Sequence, residues 1–266
     1  MIPLLCPVCK GELTLSGSSY VCPSRHCFDI AKEGYVNLAI GKSDSGDSSD
    51  MCRARHEFLK AGYYRPLADK IADVLCENGS KSICDAGCGE GYYDRMIKSR
   101  IPDADVVALD LAKTSVRLGA REERGSSAPI RYAVAGIFSM PLPDCSFDAL
   151  LSVFAPIPEA EARRILKDSG TVLVVHPGKE HLSGLKNLLY EIPYDNEEST
   201  AKLDGFTHRR DERVRYTVSV APEHVHSLFL MTPYYWKTSR EDARKLDSGE
   251  PLTTVLDFII SVYEKN

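Results

Sequence analysis

Residues 83–93, ICDAGCGEGYY, constrain the fold more than any other stretch of the chain. A run of small and apolar residues ends at Asp85, glycines stand at 87, 89 and 91, and Tyr92 and Tyr93 open what reads as a helix. Glycine at alternate positions after a strand lets the backbone turn tightly and approach a ligand, and the helix that follows presents unpaired N–H groups. A strand–loop–helix unit of this kind belongs to a parallel sheet with crossover helices. The dinucleotide fingerprint G-x-G-x-x-G places its third glycine one residue later than this chain does. Here the spacing is G-x-G-x-G, with an acid two residues before the first glycine.

The remaining pattern agrees with such a sheet. Apolar runs at 83–86, 105–110, 130–134, 148–154 and 171–176 alternate with helical patterns such as EAEARRILKDSG, the rhythm of βαβ crossovers. After His176 the rhythm changes: RVRYTVSV (213–220) and TTVLDFIISVY (253–263) read as two further strands flanking the helical PEHVHSLFLM. Upstream, MCRARHEFLKAGYYRPLADKIADVLCENG reads as two helices, broken at Gly62 and restarted near Pro66, a favourable first-turn residue. The glycine loop and this order of elements resemble the class I S-adenosylmethionine-dependent methyltransferases. That resemblance implies an α/β, Rossmann-like, mostly parallel seven-stranded sheet finished by an antiparallel pair. Their cofactor is a cation without a pyrophosphate, which tolerates an acidic approach; an NAD enzyme is the second reading. Asp110, about twenty residues past the loop, suits an acid accepting both ribose hydroxyl hydrogens, or else it caps the helix that starts near Lys113.

A second cluster lies near the N-terminus. Cys6-x2-Cys9 and Cys22-x3-His26 fall within 21 residues, with a turn-forming PVCKG knuckle between soft ligands two apart. Tetrahedral zinc asks for this arrangement. Cys27 adjoins His26, and two neighbours rarely reach one metal, so His26 is the expected fourth ligand with Cys27 as the alternative. Four protein ligands leave no position for a catalytic water, so the metal is expected to be structural. A segment this small folds on its metal, which contributes on the order of 10 kcal/mol. Three regions are expected: a zinc-binding RNA-recognition module at 1–40, a linker and connecting helix at 41–66, and a methyltransferase domain at 67–266. Polar IGKSDSGDSSD (40–50) reads as the linker. On that division, Cys9→Ser unfolds the first module and leaves cofactor binding largely intact.

The chain has no segment approaching the roughly 18 apolar residues of a membrane span, and its start lacks the pattern of a signal peptide. Nine cysteines, clustered and scattered, fit a reducing compartment, and a soluble cytoplasmic protein with no membrane partner is expected. A net charge of −5 argues against indiscriminate nucleic-acid binding and leaves room for a selective RNA site.

Taken together, CPVC, CPSRHCFDIAKEGYVNLA, GDSSDMCRAR, FLKAGYYRPL, CDAGCGEGYY, FAPI, HPGKEHL and MTP resemble the RlmA family of ribosomal RNA guanine-N1 methyltransferases, which includes a tylosin-resistance methyltransferase. The resemblance covers most of the chain. It implies methyl transfer from S-adenosylmethionine to N1 of one guanine in a hairpin of 23S ribosomal RNA, a structural Zn2+, and a homodimer whose zinc domains border an RNA cleft. Carried over by motif, the cofactor contacts are Tyr64, Asp85, Gly87, Gly89, Glu90, Gly91, Tyr92, Asp110 and His181; otherwise Tyr64 is a packing aromatic between helices and His181 a helix-start residue. Arg25, Lys32, Arg53 and Arg55 are cations placed to hold phosphates, or ordinary solvated charges. Glu159 and Glu161 are acids after the fourth strand that also suit a helix start, and no general base is assigned. Two other classes compete: a small-molecule methyltransferase, and a methyltransferase-fold RNA-binding or assembly factor that has lost activity.

Overall fold

The structure is a computed structural model describing residues 1–41, 47–126, 129–198 and 201–266; residues 42–46 of the expected linker lie outside it. The N-terminal segment forms a four-stranded antiparallel ribbon of β1 (Leu4–Leu5), β2 (Glu12–Ser16), β3 (Ser19–Val21) and β4 (Cys27–Asp29). The next strand, β5 (Val36–Asn37), leaves that ribbon and joins the main sheet.

Helices α1 (Ser49–Lys60) and α2 (Arg65–Glu77) follow, parted at Gly62, whose φ of +85° only glycine adopts without strain. Ser48 caps α1 by accepting the Met51 N–H at 3.2 Å, and Pro66 sits in the first turn of α2. The alternating part runs through β6 (Ser82–Ala86), α3 (Tyr92–Arg100), β7 (Asp105–Asp110), α4 (Lys113–Glu122), β8 (Arg131–Val134), β9 (Phe147–Val153), α5 (Glu159–Ile165) and β10 (Leu166–Pro177). Then come α6 (Ser183–Leu189), β11 (Phe206–Val220), α7 (Pro222–Leu230) and β12 (Leu252–Lys265).

The main sheet has the order β11-β12-β10-β9-β6-β7-β8-β5. It holds eight strands rather than the seven expected, because β5 adds a parallel strand beside β8, with Val36 against Ala133 and Asn37 against Val134. β12 is the reversed strand, antiparallel to both β10 and β11. The helical pattern of EAEARRILKDSG stops at Ile165, and β10 begins at Leu166, with its pairing to β9 shifting register before Thr171.

The ribbon is sewn to the sheet. Leu5 N–H donates to Pro141 O at 2.8 Å, Leu38 N–H to Val134 O at 2.9 Å, and Ile2 N–H to Asp105 Oδ2 at 2.6 Å, while Arg131 donates to Ile2 O and to Asp105. Leu4, Cys6, Leu13 and Cys22 belong to the same buried apolar cluster as Val107, Leu109, Ala133 and Met140. A second cluster fills the opposite face of the sheet, under α2, α3, α6 and α7. Among the described residues no helix is long and apolar enough to cross a membrane.

Candidate functional site

The ribbon presents two knuckles of similar build. In one, Lys10 N–H donates to Cys6 O; in the other, Arg25 N–H donates to Cys22 O, both at 2.8 Å, and Lys10 and Arg25 each take a left-handed φ near +60°. These turns bring Cys6, Cys9, Cys22 and His26 together, with all four ligand atoms within 4.8 Å of one another. His26 Nδ1 lies 3.3 Å from Cys22 Sγ and 3.5 Å from Cys6 Sγ, and Cys27 stands outside the group, exposed on β4. A backbone hydrogen bond from Gly11, with side-chain bonds from Ser24 and His26, draws the Cys9 thiol down to about 6, whereas burial raises Cys22. Three soft sulfurs and one imidazole are the donor set of a structural zinc site.

A second site lies where the strand order reverses. Moving outward from β6, one side runs through β7 and β8 and the other through β9 and β10, so the loops leaving β6 and β9 part and open a crevice at the carboxyl edge. Gly87, Gly89 and Gly91 line the first loop with φ of +90°, +56° and +68°. Their roles differ. A Cβ on Gly87 would lie 2.7 Å from Ala155 Cβ in the opposing loop, and one on Gly91 would lie 1.9 Å from Tyr132 Oη, whereas one on Gly89 meets nothing within 4 Å.

Asp110, at the end of β7, holds this loop: its Oδ2 accepts the Gly89 N–H at 2.8 Å and its Oδ1 the Ala112 N–H at 2.7 Å. It does not cap α4, whose N-cap is Ala112 with no side-chain bond. Spare lone pairs remain on both oxygens. Beneath the loop Asp85 is buried with neither carboxylate oxygen hydrogen-bonded, facing the equally buried Asp94 of α3. Burial, then the charge of Asp94, pushes the Asp85 carboxyl well up, and burial raises Asp94 to about 7. An orphaned carboxyl below an open glycine suits a ligand carrying an ammonium or sulfonium, as S-adenosylmethionine does.

Across the crevice, Tyr64 and His181 meet: Tyr64 Oη and His181 Nε2 are 3.4 Å apart, and both side chains are buried. Asp257 N–H donates to His181 Nδ1 at 3.3 Å, so the neutral ring carries its hydrogen on Nε2. Burial lowers His181 to about 3 and raises the Tyr64 phenol, leaving both uncharged at neutral pH. Phe258 lies 4.7 Å from the His181 ring and 4.9 Å from Tyr64, and Phe154 stacks toward His181 at 6.3 Å and 27°.

Two of the predicted contacts are engaged elsewhere. Glu90 is buried, with Oε2 accepting from Arg95 at 2.7 Å and within 3.0 Å of His56 Nδ1. Tyr92 packs edge-on to Tyr93 at 5.4 Å inside the core. Of the cations, Arg25, Lys32 and Arg53 are exposed, and Arg55 is paired with Asp47 at 2.7 Å. Glu159 accepts the Asp204 N–H, and Glu161 accepts from Met140 N–H and Arg164, so both acids are tied into the frame.

Sequence reasoning missed two residues. Phe154 directly follows β9 in a left-handed conformation, φ +53°, and keeps 46% of its surface exposed, an unusual position for an aromatic. The signal was present in FAPI, where a large apolar residue follows a buried strand. Asp257, fully buried on β12, receives two bonds from Arg213 at 2.9 and 2.7 Å and one from Glu180 N–H. A Cβ on Gly178 would meet its carboxyl carbon at 2.5 Å, so Asp257 fixes the loop that carries His181. Nothing local announced it.

Residues 4–39 match the family model described as "RlmA, N-terminal", a zinc ribbon, and residues 83–175 match one described as "Methyltransferase domain". The chain is 31% identical to the "Putative 23S rRNA (guanine-N(1)-)-methyltransferase" of Micromonospora griseorubida over 98% of this chain and 96% of that one. It is 29% identical to the protein of the same description, YxjB, of Bacillus subtilis (strain 168), over 97% and 96%. Identity reaches 35% with the "23S rRNA (guanine(748)-N(1))-methyltransferase" of Streptomyces fradiae, over 70% of this chain and 67% of the relative.

Proposed function

The chain belongs to the RlmA family of 23S rRNA (guanine-N1)-methyltransferases, and from that premise we propose that it transfers the methyl group of S-adenosylmethionine to N1 of one guanine in a 23S rRNA hairpin. The observation that carries this reading is a convergence in one crevice. The glycine loop with Asp110 stands on one side, and the aromatic group of Tyr64, His181, Phe258 and half-exposed Phe154 on the other.

When bound, S-adenosylmethionine supplies an electrophilic methyl on sulfur. Asp85, Gly87, Gly89, Asp110, Tyr64 and His181 are the residues that would hold it. The work left to the chain is alignment, which accounts for much of the barrier in a displacement of this kind. Phe154 offers its open face at the crevice, where an unstacked base can rest, and the neutral Tyr64–His181 pair behind it keeps the wall dry. Methylation at N1 would also require that nitrogen to give up the proton it carries at neutral pH. Glu159 and Glu161 are occupied by Asp204 and by Met140 and Arg164, so neither stands free to take it.

The homodimer and the cytoplasmic location expected of the family form part of this reading, and sedimentation of purified protein tests the first. The main experiment follows label from tritiated cofactor into 23S rRNA against a metabolite extract, then maps reverse-transcription stops, looking first at the guanine 748 named for the Streptomyces fradiae relative. Phe154→Ala is expected to cut transfer to rRNA roughly tenfold to a hundredfold, the scale of one base–aromatic stack, while S-adenosylhomocysteine binds nearly as before. Label appearing only in small molecules would overturn the assignment.

A further inference from the structure

Three parallel strands end side by side next to the glycine loop. Val134, the last residue of β8, pairs with Asp110 of β7 on one side and with Asn37 of β5 on the other, so the three carboxyl ends are level. Over them lies a cavity of about 340 Å³, lined by Asn37, Ser49, Cys52, Leu111, Thr114 and Val134 among others. That volume lies in the range of small-molecule sites. Its wall residues Leu111 and Ala112 directly follow Asp110, whose carboxylate is bonded to the Gly89 N–H, so the cavity lies one residue along the chain from the acid that holds the glycine loop.

Half of this wall comes from the N-terminal segment. The first turn of α1 closes over the first turn of α4, with Ser49 Oγ 3.4 Å from Thr114 Oγ1, and Cys52 of α1 is buried. Asn37 Oδ1 accepts the Ala39 N–H at 3.1 Å, and its amide nitrogen has no partner among the described residues. An unengaged amide at the rim, with Leu111 and Val134 as apolar walls, is the pairing a flat heterocycle with ring nitrogens would use.

Asn37 is placed from two sides, by β8 and by the ribbon. Strand β5 is two residues long and bonds to β8 on one side only. On its other side Val36 bridges to Ile30 directly after β4, and Ala31 N–H donates to Tyr35 O, so the turn that delivers β5 is folded against the metal-bearing ribbon. A two-residue strand cannot hold its own register. Its position is shared between β8 and the ribbon, and the four ligands hold the ribbon's own shape.

Resting on the reading that this chain binds S-adenosylmethionine, we propose that the strand leaving the zinc ribbon is a wall of the nucleoside pocket, so that zinc and cofactor bind cooperatively. This runs against the expectation that a broken ribbon leaves cofactor binding largely intact, and the two differ in a measurable outcome. Linkage requires the effect to run both ways: metal strengthens cofactor binding, and cofactor retains metal by the same factor.

The test uses the full chain. S-adenosylhomocysteine is titrated calorimetrically into zinc-loaded wild type, Asn37→Ala and Cys9→Ser, and zinc release to a colorimetric chelator is timed with and without S-adenosylhomocysteine, NAD serving as the control ligand. Asn37→Ala should bind about tenfold more weakly with its zinc content unchanged, on the scale of one lost hydrogen bond to a ligand. Cys9→Ser should lose at least as much, and saturating S-adenosylhomocysteine should slow zinc release several-fold where NAD does not. If Cys9→Ser does not fold, Asn37→Ala and the release rate still decide the matter. Wild-type affinity in both variants, or a release rate indifferent to S-adenosylhomocysteine, overturns the cooperativity and leaves the methyltransferase reading standing. Wild type that binds no S-adenosylhomocysteine at all sinks that reading as well.

Discussion

Gly89 and Gly91 are equivalent letters in a G-x-G-x-G string, and only their neighbours separate them. Gly91 yields space to Tyr132, and Gly89 faces an opening. Valine at either position takes on left-handed strain of roughly 1–3 kcal/mol. Gly91→Val adds an overlap with Tyr132 and should unfold at the lower urea concentration, whereas Gly89→Val should stay folded and nearly abolish S-adenosylhomocysteine binding. Asp110→Ala, which frees the Gly89 and Ala112 N–H groups as well as any ribose contact, should weaken that binding by about one to three decades. Calorimetry beside urea midpoints gives the ranking, and unchanged affinity in Gly89→Val would mean the opening serves another purpose. The pattern thus pointed to a loop that approaches something, and Asp110 twenty residues on to an acid suited to a ribose. Which glycine yields to protein and which to ligand depends on Tyr132 and Ala155, contacts formed only in the fold.

At the scale of elements, β6 and α3 press Asp85 against Asp94 with no counter-charge bonded to either. Asp94 also stands in the first turn of α3, where an acid normally helps, but burial outweighs that benefit. Both carboxyls are shifted up, so the native state holds protons that the unfolded chain has released. Their stabilisation is complete below about pH 4, the usual carboxylate range, and is lost as pH rises toward 7 and beyond. Asp94→Asn should therefore gain on wild type as pH climbs from 4 to 8, with a slope of at most about 1.4 kcal/mol per pH unit for each group, read from urea midpoints. A pH-independent difference would show that the pair does not share its burden. The elements themselves were legible wherever an apolar run of four to seven residues marked a buried strand, as in β6, β7 and β9. Strand β5 was not, since Val36 and Asn37 carry no pattern and their partner lies far along the chain. Nor was the early start of β10, because Leu166 continues the helical spacing of α5 and turns only where β9 offers it an edge.

For the molecule as a whole, the four ligands of the ribbon predict about one zinc per chain by metal analysis of protein never exposed to chelator; metal-free native protein would refute it. The cysteine spacing made this centre readable because both knuckles are local. The attachment of the ribbon to the sheet was hidden, since Leu5, Ile2 and Leu38 reach Pro141, Asp105 and Val134 across long separations. That separation has a consequence for biosynthesis. Val36 leaves the ribosome about 100 residues before Ala133, the partner that completes its sheet edge. At 5–20 residues per second this is a wait on the order of 5–20 s. Through that interval the emerging segment has no sheet to lie on, and a metal ion on its four ligands would hold it in shape until the rest of the chain arrives.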